Sequence, residues 1–479
     1  MKQKRLSTVI SLLTVAMFLL GACAPQTVEV EVEVTREVQV PQEVEVTREV
    51  QVEVEVPTFA EGTELKILQW SHFVPQYDTW FDPFAQAWGE ANGVKVTVDH
   101  VNIADLNPTL AAAIDAGEGP TLIELSLAAS LFVEGLHDLT DVNMKAQELF
   151  GPQAATCTAN SYLPTTNTWY GYCHGWVPDP GDYDRALWAA AGFPNGPSTW
   201  AELLEGGQKI KAQGVPMGLG LSPEIDSEMA ARAIIWSYGG SIQDENECVT
   251  INSPEVIEAV TYMADLYKNT MTDEVFGWTA ASNNQGLIAG ELSYILNSIS
   301  AYRSLQKIDP AAADNIGFVP ALKGPRGDQH ASAHLWYIYV IPKYVEEGSP
   351  EMEAAKAFLL HHTANYNQAV FNSELYNFPA FESTVPQLQG WVEKDPFGSR
   401  PADKLTVLLT AKDWVTYLGY PGPSNPAVAE VYGTHVIPTM MGKAALGELT
   451  PEEAVAEAEA QINDIFAKWR AKGLVGCSK

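Results

Sequence analysis

Between residues 63 and 125 the apolar spacing switches from a strand period to a helix period and back, twice over, and this constrains the fold more than any other feature. Leu65, Ile67 and Leu68 mark a short strand at 65–68. Trp80, Phe81, Phe84, Ala87 and Trp88 recur at helical spacing through 78–90. Residues 94–101 alternate as a second strand, Asn107-Pro108 opens a helix through Ile114, and 121–125 read as a third strand. Strand, helix, strand, helix, strand predicts a parallel sheet in an α/β lobe. From about residue 176 a second such region begins, richer in helix, and a chain of 479 residues has room for two or three lobes. Helical periodicity covers 200–212, 227–237, 254–268, 350–361 and 451–469. Pro254, Pro350 and Pro451 each follow Ser or Thr, the cap-then-proline arrangement that opens a helix.

The first 62 residues have a different character. Lys2, Lys4 and Arg5 precede the mostly apolar run 6–20, which is short for a membrane span and has the flanks of a secretory signal. Leu20-Gly21-Ala22-Cys23 resembles a bacterial lipoprotein lipobox, which makes 1–22 a signal peptide and Cys23 the carrier of a diacylglycerol. An ordinary signal peptide is the alternative. On the lipobox reading the chain is anchored to the cell membrane and faces the extracytoplasmic space; two or three lipid chains hold a protein firmly where one does not. Residues 31–40 read EVEVTREVQV and recur letter for letter at 43–52. An isolated strand-period segment has nothing to pair with and its glutamates repel, so 23–62 is expected to be an anchor and an extended stalk, at most about 100 Å long. A zipper of valine faces between neighbouring molecules is the other reading.

A formal charge of −32 argues against nucleic acid and against a dedicated anionic-lipid surface. Setting Cys23 aside leaves four cysteines, Cys157, Cys173, Cys248 and Cys477, which can pair in three ways. Disulfides are the default outside the cytoplasm. Cys157 and Cys173 flank a turn-rich stretch and are the preferred pair, which leaves Cys248 for Cys477; four buried free thiols are the alternative. No metal ribbon, Gly-x-Ser-x-Gly, His-Glu-x-x-His or Walker loop is present in the sequence, and no enzyme activity, metal or cofactor is expected. His361-His362 reads as a solvated helix end or a partner of the C-terminal dipole. Among 60 acidic residues a glycoside hydrolase pair is still an open alternative, and the stalk would suit a surface adhesin.

Several motifs then fall in a telling order. Phe132-Val133-Glu134-Gly135-Leu136-His137-Asp138-Leu139-Thr140 comes first, followed by Tyr183-Asp184-Arg185-Ala186-Leu187-Trp188-Ala189-Ala190-Ala191-Gly192-Phe193 and Pro197-Ser198-Thr199-Trp200-Ala201-Glu202-Leu203. Gly239-Gly240, Ile251-Asn252-Ser253-Pro254-Glu255, Ala354-Ala355-Lys356-Ala357-Phe358-Leu359 and Asn377-Phe378-Pro379-Ala380 complete the set. From about residue 63 to the end this succession resembles the family 1 extracellular solute-binding proteins, the capture subunits of ABC importers. Gly119-Pro120-Thr121 and Gly290-Glu291-Leu292-Ser293 depart from the family pattern. Read physically, Thr199 is expected to cap a helix with Glu202 closing a capping box, Trp200 and Trp236 to be core, and Gly239-Gly240 to form a turn.

The resemblance implies an α/β, two-lobed, periplasmic-binding-protein-like (type II) fold with a hinge and an interlobe cleft. It places 63–175 and 313–363 in lobe 1, and 176–312 and 364–479 in lobe 2. It also implies a monomer that captures a small solute and delivers it to permease subunits. Strand ends should line the cleft, which selects Trp70, Glu124, Trp176, Tyr302 and Trp336 as ligand-binding candidates. An abundance of Trp and Tyr suits a sugar, whose C–H faces stack on aromatic rings. Polyols, peptides and polyamines are further ligand classes, and the acidic side chains would favour a cation.

Overall fold

In the computed structural model the described residues are 59–477, so the signal peptide, the lipidation site Cys23 and the Val/Glu repeat lie outside them. Strand β1 (Glu64–Trp70), helix α1 (Gln76–Asn92), strand β2 (Lys95–Val101), helix α2 (Leu106–Ala116) and strand β3 (Leu122–Leu125) follow the order expected from the hydrophobic spacing. β1 pairs in parallel with β2 along its whole length, Glu64 opposite Lys95 and Trp70 opposite Val101, and with β3 through Ile67 and Leu68. β3 is buried on both faces, so it reads as a continuous apolar run interrupted only by Glu124.

Helix α3 (Ala155–Ser161) leads to strand β4 (Tyr172–Val177), and three residues later the chain enters a second sheet with strand β5 (Gly181–Asp184). The crossing is Pro178-Asp179-Pro180, in which each proline restricts the residue before it to extended backbone. The second lobe then adds helices α4 (Trp200–Lys211), α5 (Ile225–Ser237) and α6 (Pro254–Thr270), strand β6 (Tyr294–Leu296), helix α7 (Ser300–Ile308) and strand β7 (Ile316–Val319). Its three strands are antiparallel in the order β6-β5-β7. Helix α5 is buried almost all round and takes Asp226, Glu228 and Arg232 into the interior with its apolar residues.

The chain returns to the first sheet with strand β8 (Leu335–Val340), helices α8 (Pro350–Ala364) and α9 (Tyr366–Asn372), and strand β9 (Phe378–Pro379). The completed order is β9-β4-β8-β3-β1-β2. Sheet membership therefore runs through both 175 and 363, where lobe boundaries were drawn from sequence: β4 straddles the first, and β9 rejoins the sheet beyond the second. Because β8 is antiparallel to both β3 and β4, the ends of β1, β3 and β4 and the start of β8 share one rim of the sheet. The crossings are fastened there, with His334 N donating to Val177 O at 2.8 Å and Asn297 N to Pro180 O at 3.1 Å.

Local chemistry sets the element ends. Thr199, Ser253, Ser349 and Thr450 cap α4, α6, α8 and the last helix, α10 (Pro451–Ala471). Thr450 and Glu453 make a full capping box. The box expected at α4 is different: Thr199 accepts from Glu202 N at 3.1 Å, but Glu202 Oε2 accepts from Ser198 N at 2.7 Å, one residue further back. Gly239 has φ +81°, and a Cβ on Gly240 would lie 2.6 Å from Val256 Cγ2, so this turn needs both glycines. The disulfides are Cys157–Cys173, tying α3 to β4, and Cys248–Cys477, tying down the C-terminus. For separations of 16 and 229 residues the chain-entropy account gives about 3 and about 5 kcal/mol of stabilisation. Trp200 and Trp236 are buried as expected. Among the described residues no helix is long and apolar enough to cross a membrane.

Candidate functional site

The sequence candidates fall into separate surroundings. Glu124 lies inside the first lobe, where Oε1 is 2.9 Å from His174 Nε2 and Oε2 is 3.6 Å from His72 Nε2. His72 Nδ1 in turn meets Asp78 Oδ1 at 2.5 Å. Tyr77, Tyr337 and Tyr339 wall the cluster, with Gln69 bonded to the Tyr339 hydroxyl. Burial pushes the Glu124 carboxyl well above the carboxylate range and the His174 imidazole well below its own, so this pair meets as neutral groups. The solvated or dipole role expected for His362 is overturned: it is fully buried, stacked on Phe358 at 6.1 Å and beside His174 at 4.7 Å, and burial lowers it to about 3. His361 stacks on Phe84 at 5.1 Å. The apolar residues of α1 account for this, since Phe81 and Phe84 cover that side of α8.

Trp336 and Trp176 face each other across β8 and β4. Trp336 Nε1 donates to Thr156 Oγ1 at 2.6 Å, and Trp176 Nε1 to Pro379 O at 3.2 Å. Trp176 also lines a cavity of about 610 Å³ with Thr156, Phe378, Leu388, Lys412 and Val415. Tyr302 is buried in the second lobe, where its hydroxyl donates to Ser399 Oγ at 2.7 Å beside the Arg303–Asp395 ion pair. Trp70 stacks on Tyr337 at 6.0 Å and on Phe73 at 5.2 Å, with its Nε1 unpartnered. These five residues thus do not form one constellation: Trp70, Glu124, Trp176 and Trp336 lie near strand ends of the first sheet, and Tyr302 lies in the second lobe.

A different set converges at that rim. From the crossing, Asp179 Oδ1 meets His334 Nδ1 at 3.0 Å, while Asp179 Oδ2 and His334 Nε2 have no partner. From the second lobe, Asp226 Oδ2 accepts from Asn283 Nδ2 at 2.8 Å and Oδ1 is unpartnered. Both carboxylate oxygens of Asp182, on β5, are unpartnered. Glu224 caps α5 through Asp226 N at 2.8 Å and Ser227 N at 2.5 Å, which holds Asp226 in the first turn. Asn284, Asn297, Ser298 and Ser300 form a hydrogen-bonded string next to Asn283. From the first lobe, Phe73 and Tyr376 stand 6.5 and 6.3 Å from the His334 ring.

The electrostatics of this set are one-sided. Burial pushes the Asp226 carboxyl well above its usual range, and the Glu224 and Asp179 charges push it further. Burial, then Asp179, does the same to Asp182; burial also raises Asp179, opposed by His334. Sequence reading missed Asp179, Asp182, Asp226, His334 and Tyr376. Acidic residues in otherwise apolar, turn-linked segments were the available signal, as in Pro178-Asp179-Pro180-Gly181-Asp182.

Comparison with known proteins fits this architecture. A family profile described as bacterial extracellular solute-binding protein matches residues 79–397, more than half of the chain. Binding proteins of Brucella abortus and Brucella suis are 34% identical over 93 residues, 19% of this chain, and the match spans 22% of the curated relatives' own length. Maltose-bound MalE3 of T. maritima superposes with a TM-score of 0.68 at 20% identity, over 84% of this chain and 100% of that one. A solute-binding protein of Thermotoga lettingae bound with alpha-D-tagatose gives 0.68 at 19% identity, over 84% and 99%. One from Agrobacterium radiobacter in complex with ribitol gives 0.69 at 17% identity, over 85% and 99%. At such identities the structural likenesses fix the fold, two α/β lobes about a cleft, and the profile fixes the family. The resemblance read from the ordered motifs is borne out, and the chain belongs to the bacterial extracellular solute-binding proteins.

Proposed function

We propose that this protein captures a polyhydroxylated solute, a mono- or oligosaccharide, between its lobes and delivers it to the permease of an ABC importer. In this reading it acts as a monomer, held at the outer face of the membrane by the lipid on Cys23, and turns nothing over. The observation that carries the reading is the meeting of aromatic rings from one lobe with amide, hydroxyl and carboxyl groups from the other. Trp70, Phe73 and Tyr376 offer faces for C–H stacking, and Asn283, Asp226 and Ser298 offer hydroxyl partners. Solved proteins of the same fold carry maltose, alpha-D-tagatose and ribitol, which supports the polyol class. Domain closure on such a ligand would bury these groups together. A tether near the permease would keep the local concentration of loaded protein high.

The test is a thermal-shift and calorimetry screen of the full chain against mono- and oligosaccharides, polyols and peptides. A saturable shift with a sugar or polyol, without release of smaller sugars, is the expected result. Release of sugars from an oligosaccharide would favour a hydrolase, and no shift with any sugar or polyol would overturn the carbohydrate assignment.

A further inference from the structure

We infer that the occupant of this junction carries a protonated amine, seated among Asp179, Asp182 and Asp226; the inference rests on the proposed capture function and narrows its ligand. The three carboxyls are 1%, 0% and 8% exposed, and together they present four oxygens without a partner. Among the described residues no ion pair joins any of them to a lysine or arginine. Arg232, further along the helix that starts beside Asp226, is committed to Glu228 at 3.0 Å. A row of acceptors is a poor match for neutral hydroxyls alone, each of which brings a single donor and no charge. An ammonium brings three donors and the charge that buried carboxylates lack.

An independent group points the same way. His334 is 2% exposed, and its Nδ1 lies 3.0 Å from Asp179 Oδ1. Its Nε2 is a further buried polar atom without a partner, contributed from the first lobe's side of the crossing. The Phe73 and Tyr376 rings beside His334 supply faces that attract a cation. Trp70 Nε1 and the Tyr376 hydroxyl are unpartnered donors of the first lobe that a ligand oxygen could meet. An amine on a polyhydroxylated frame uses every one of these groups, whereas an extended polyamine uses the acceptors and rings only.

Calorimetry of the full chain at neutral pH with D-glucosamine, D-glucose, N-acetyl-D-glucosamine and spermidine separates the outcomes. Glucosamine binding at least ten-fold tighter than glucose and N-acetylglucosamine supports the inference, and the D226N and D182N variants should then lose most of that preference while still binding the neutral sugars. Spermidine binding with no sugar response supports the amine and overturns the carbohydrate reading. Glucose or N-acetylglucosamine binding as tightly as glucosamine, with no response to spermidine, overturns the amine and leaves the carbohydrate reading intact. If none of the four binds, the inference falls.

Discussion

The protein buries two polar clusters, one inside the first lobe around Glu124 and one at the lobe junction around Asp182, and they answer opposite demands. Both hold carboxyl groups driven far above their ordinary range by burial. In the first, all the groups come from one lobe: Glu124 Oε1 meets His174 Nε2 at 2.9 Å and tyrosines close over the pair, while Glu124 Oε2, His72 Nε2 and His174 Nδ1 have no partner. At the junction the protein leaves four carboxylate oxygens and His334 Nε2 unanswered. A perturbed carboxyl therefore does not by itself mark a binding site. What separates the two is make-up and place: the first mixes one buried carboxyl with imidazoles and phenols inside a single lobe, whereas the second gathers three carboxyls at the crossing between lobes.

The largest effects should come from breaking the interior of the first lobe. Trp336→Ala removes a fully buried indole and its bond to Thr156, and should lower unfolding free energy by about 3–5 kcal/mol. Denaturant titration measures it; a loss below about 1 kcal/mol with a large drop in ligand affinity would return Trp336 to the list of ligand contacts. Glu124→Ala strands His174 Nε2 and opens a void, for an expected loss of about 3 kcal/mol. Ligand affinity of the folded fraction should be unchanged, because the carboxylate has no access to the junction; a ten-fold affinity loss at wild-type stability would contradict that.

A smaller and pH-dependent effect comes from His362 in the same region. Its imidazole is lowered to about 3 by burial, from the 6.5 expected in an unfolded chain. The folded state thus binds fewer protons than the unfolded state between these values, and the stability tied to neutral His362 is lost as pH falls below about 6.5. His362→Phe, which keeps the stacking on Phe358, should flatten the melting temperature between pH 6.5 and pH 4 relative to wild type. Parallel pH profiles for the two proteins would show that the folded state protonates His362 as readily as the unfolded chain does.

Much of this contrast was hidden in the sequence, for reasons that particular residues make plain. The β-α-β-α-β opening, the cap-proline helix starts and both cysteine pairs were legible because they depend on periodicity, local capping and a short count of cysteines. The first lobe's sheet was legible only in part: Phe378–Pro379 pairs with Trp176 across about 200 positions, and no local pattern announces such a partner. His361-His362 looked like a helix terminus, but Phe81 and Phe84 cover it from a helix near the other end of the chain. At the site, aromatic residues at strand ends were sought, and most of them fill the sheet core. Asp179, Asp182 and Asp226 gave no such sign, because a buried acid is recognisable only when its surroundings are known.

Asp182→Asn is the substitution that sharpens the comparison at its finest. Removing the Glu124 carboxyl breaks an existing partnership, whereas replacing Asp182 with Asn removes a buried ionisable group whose oxygens the free protein does not pair. The two changes should differ in sign, with D182N stabilising the ligand-free chain by about 1 kcal/mol near neutral pH. The pH dependence follows from the raised carboxyl. In the unfolded chain this group ionises near 3.8, and in the folded chain burial holds the proton to higher pH. Wild type therefore keeps the full contribution of protonated Asp182 only below that range and loses it progressively as pH rises through the raised folded value. The gain from D182N should be near zero at pH 3.5, grow as pH rises, and disappear again when an amine ligand saturates the wild-type protein. A gain that is the same at every pH would mean that Asp182 does not titrate differently in the folded state. A loss of stability would mean that the fold itself supplies Asp182 with a partner, as it supplies His174 to Glu124 Oε1.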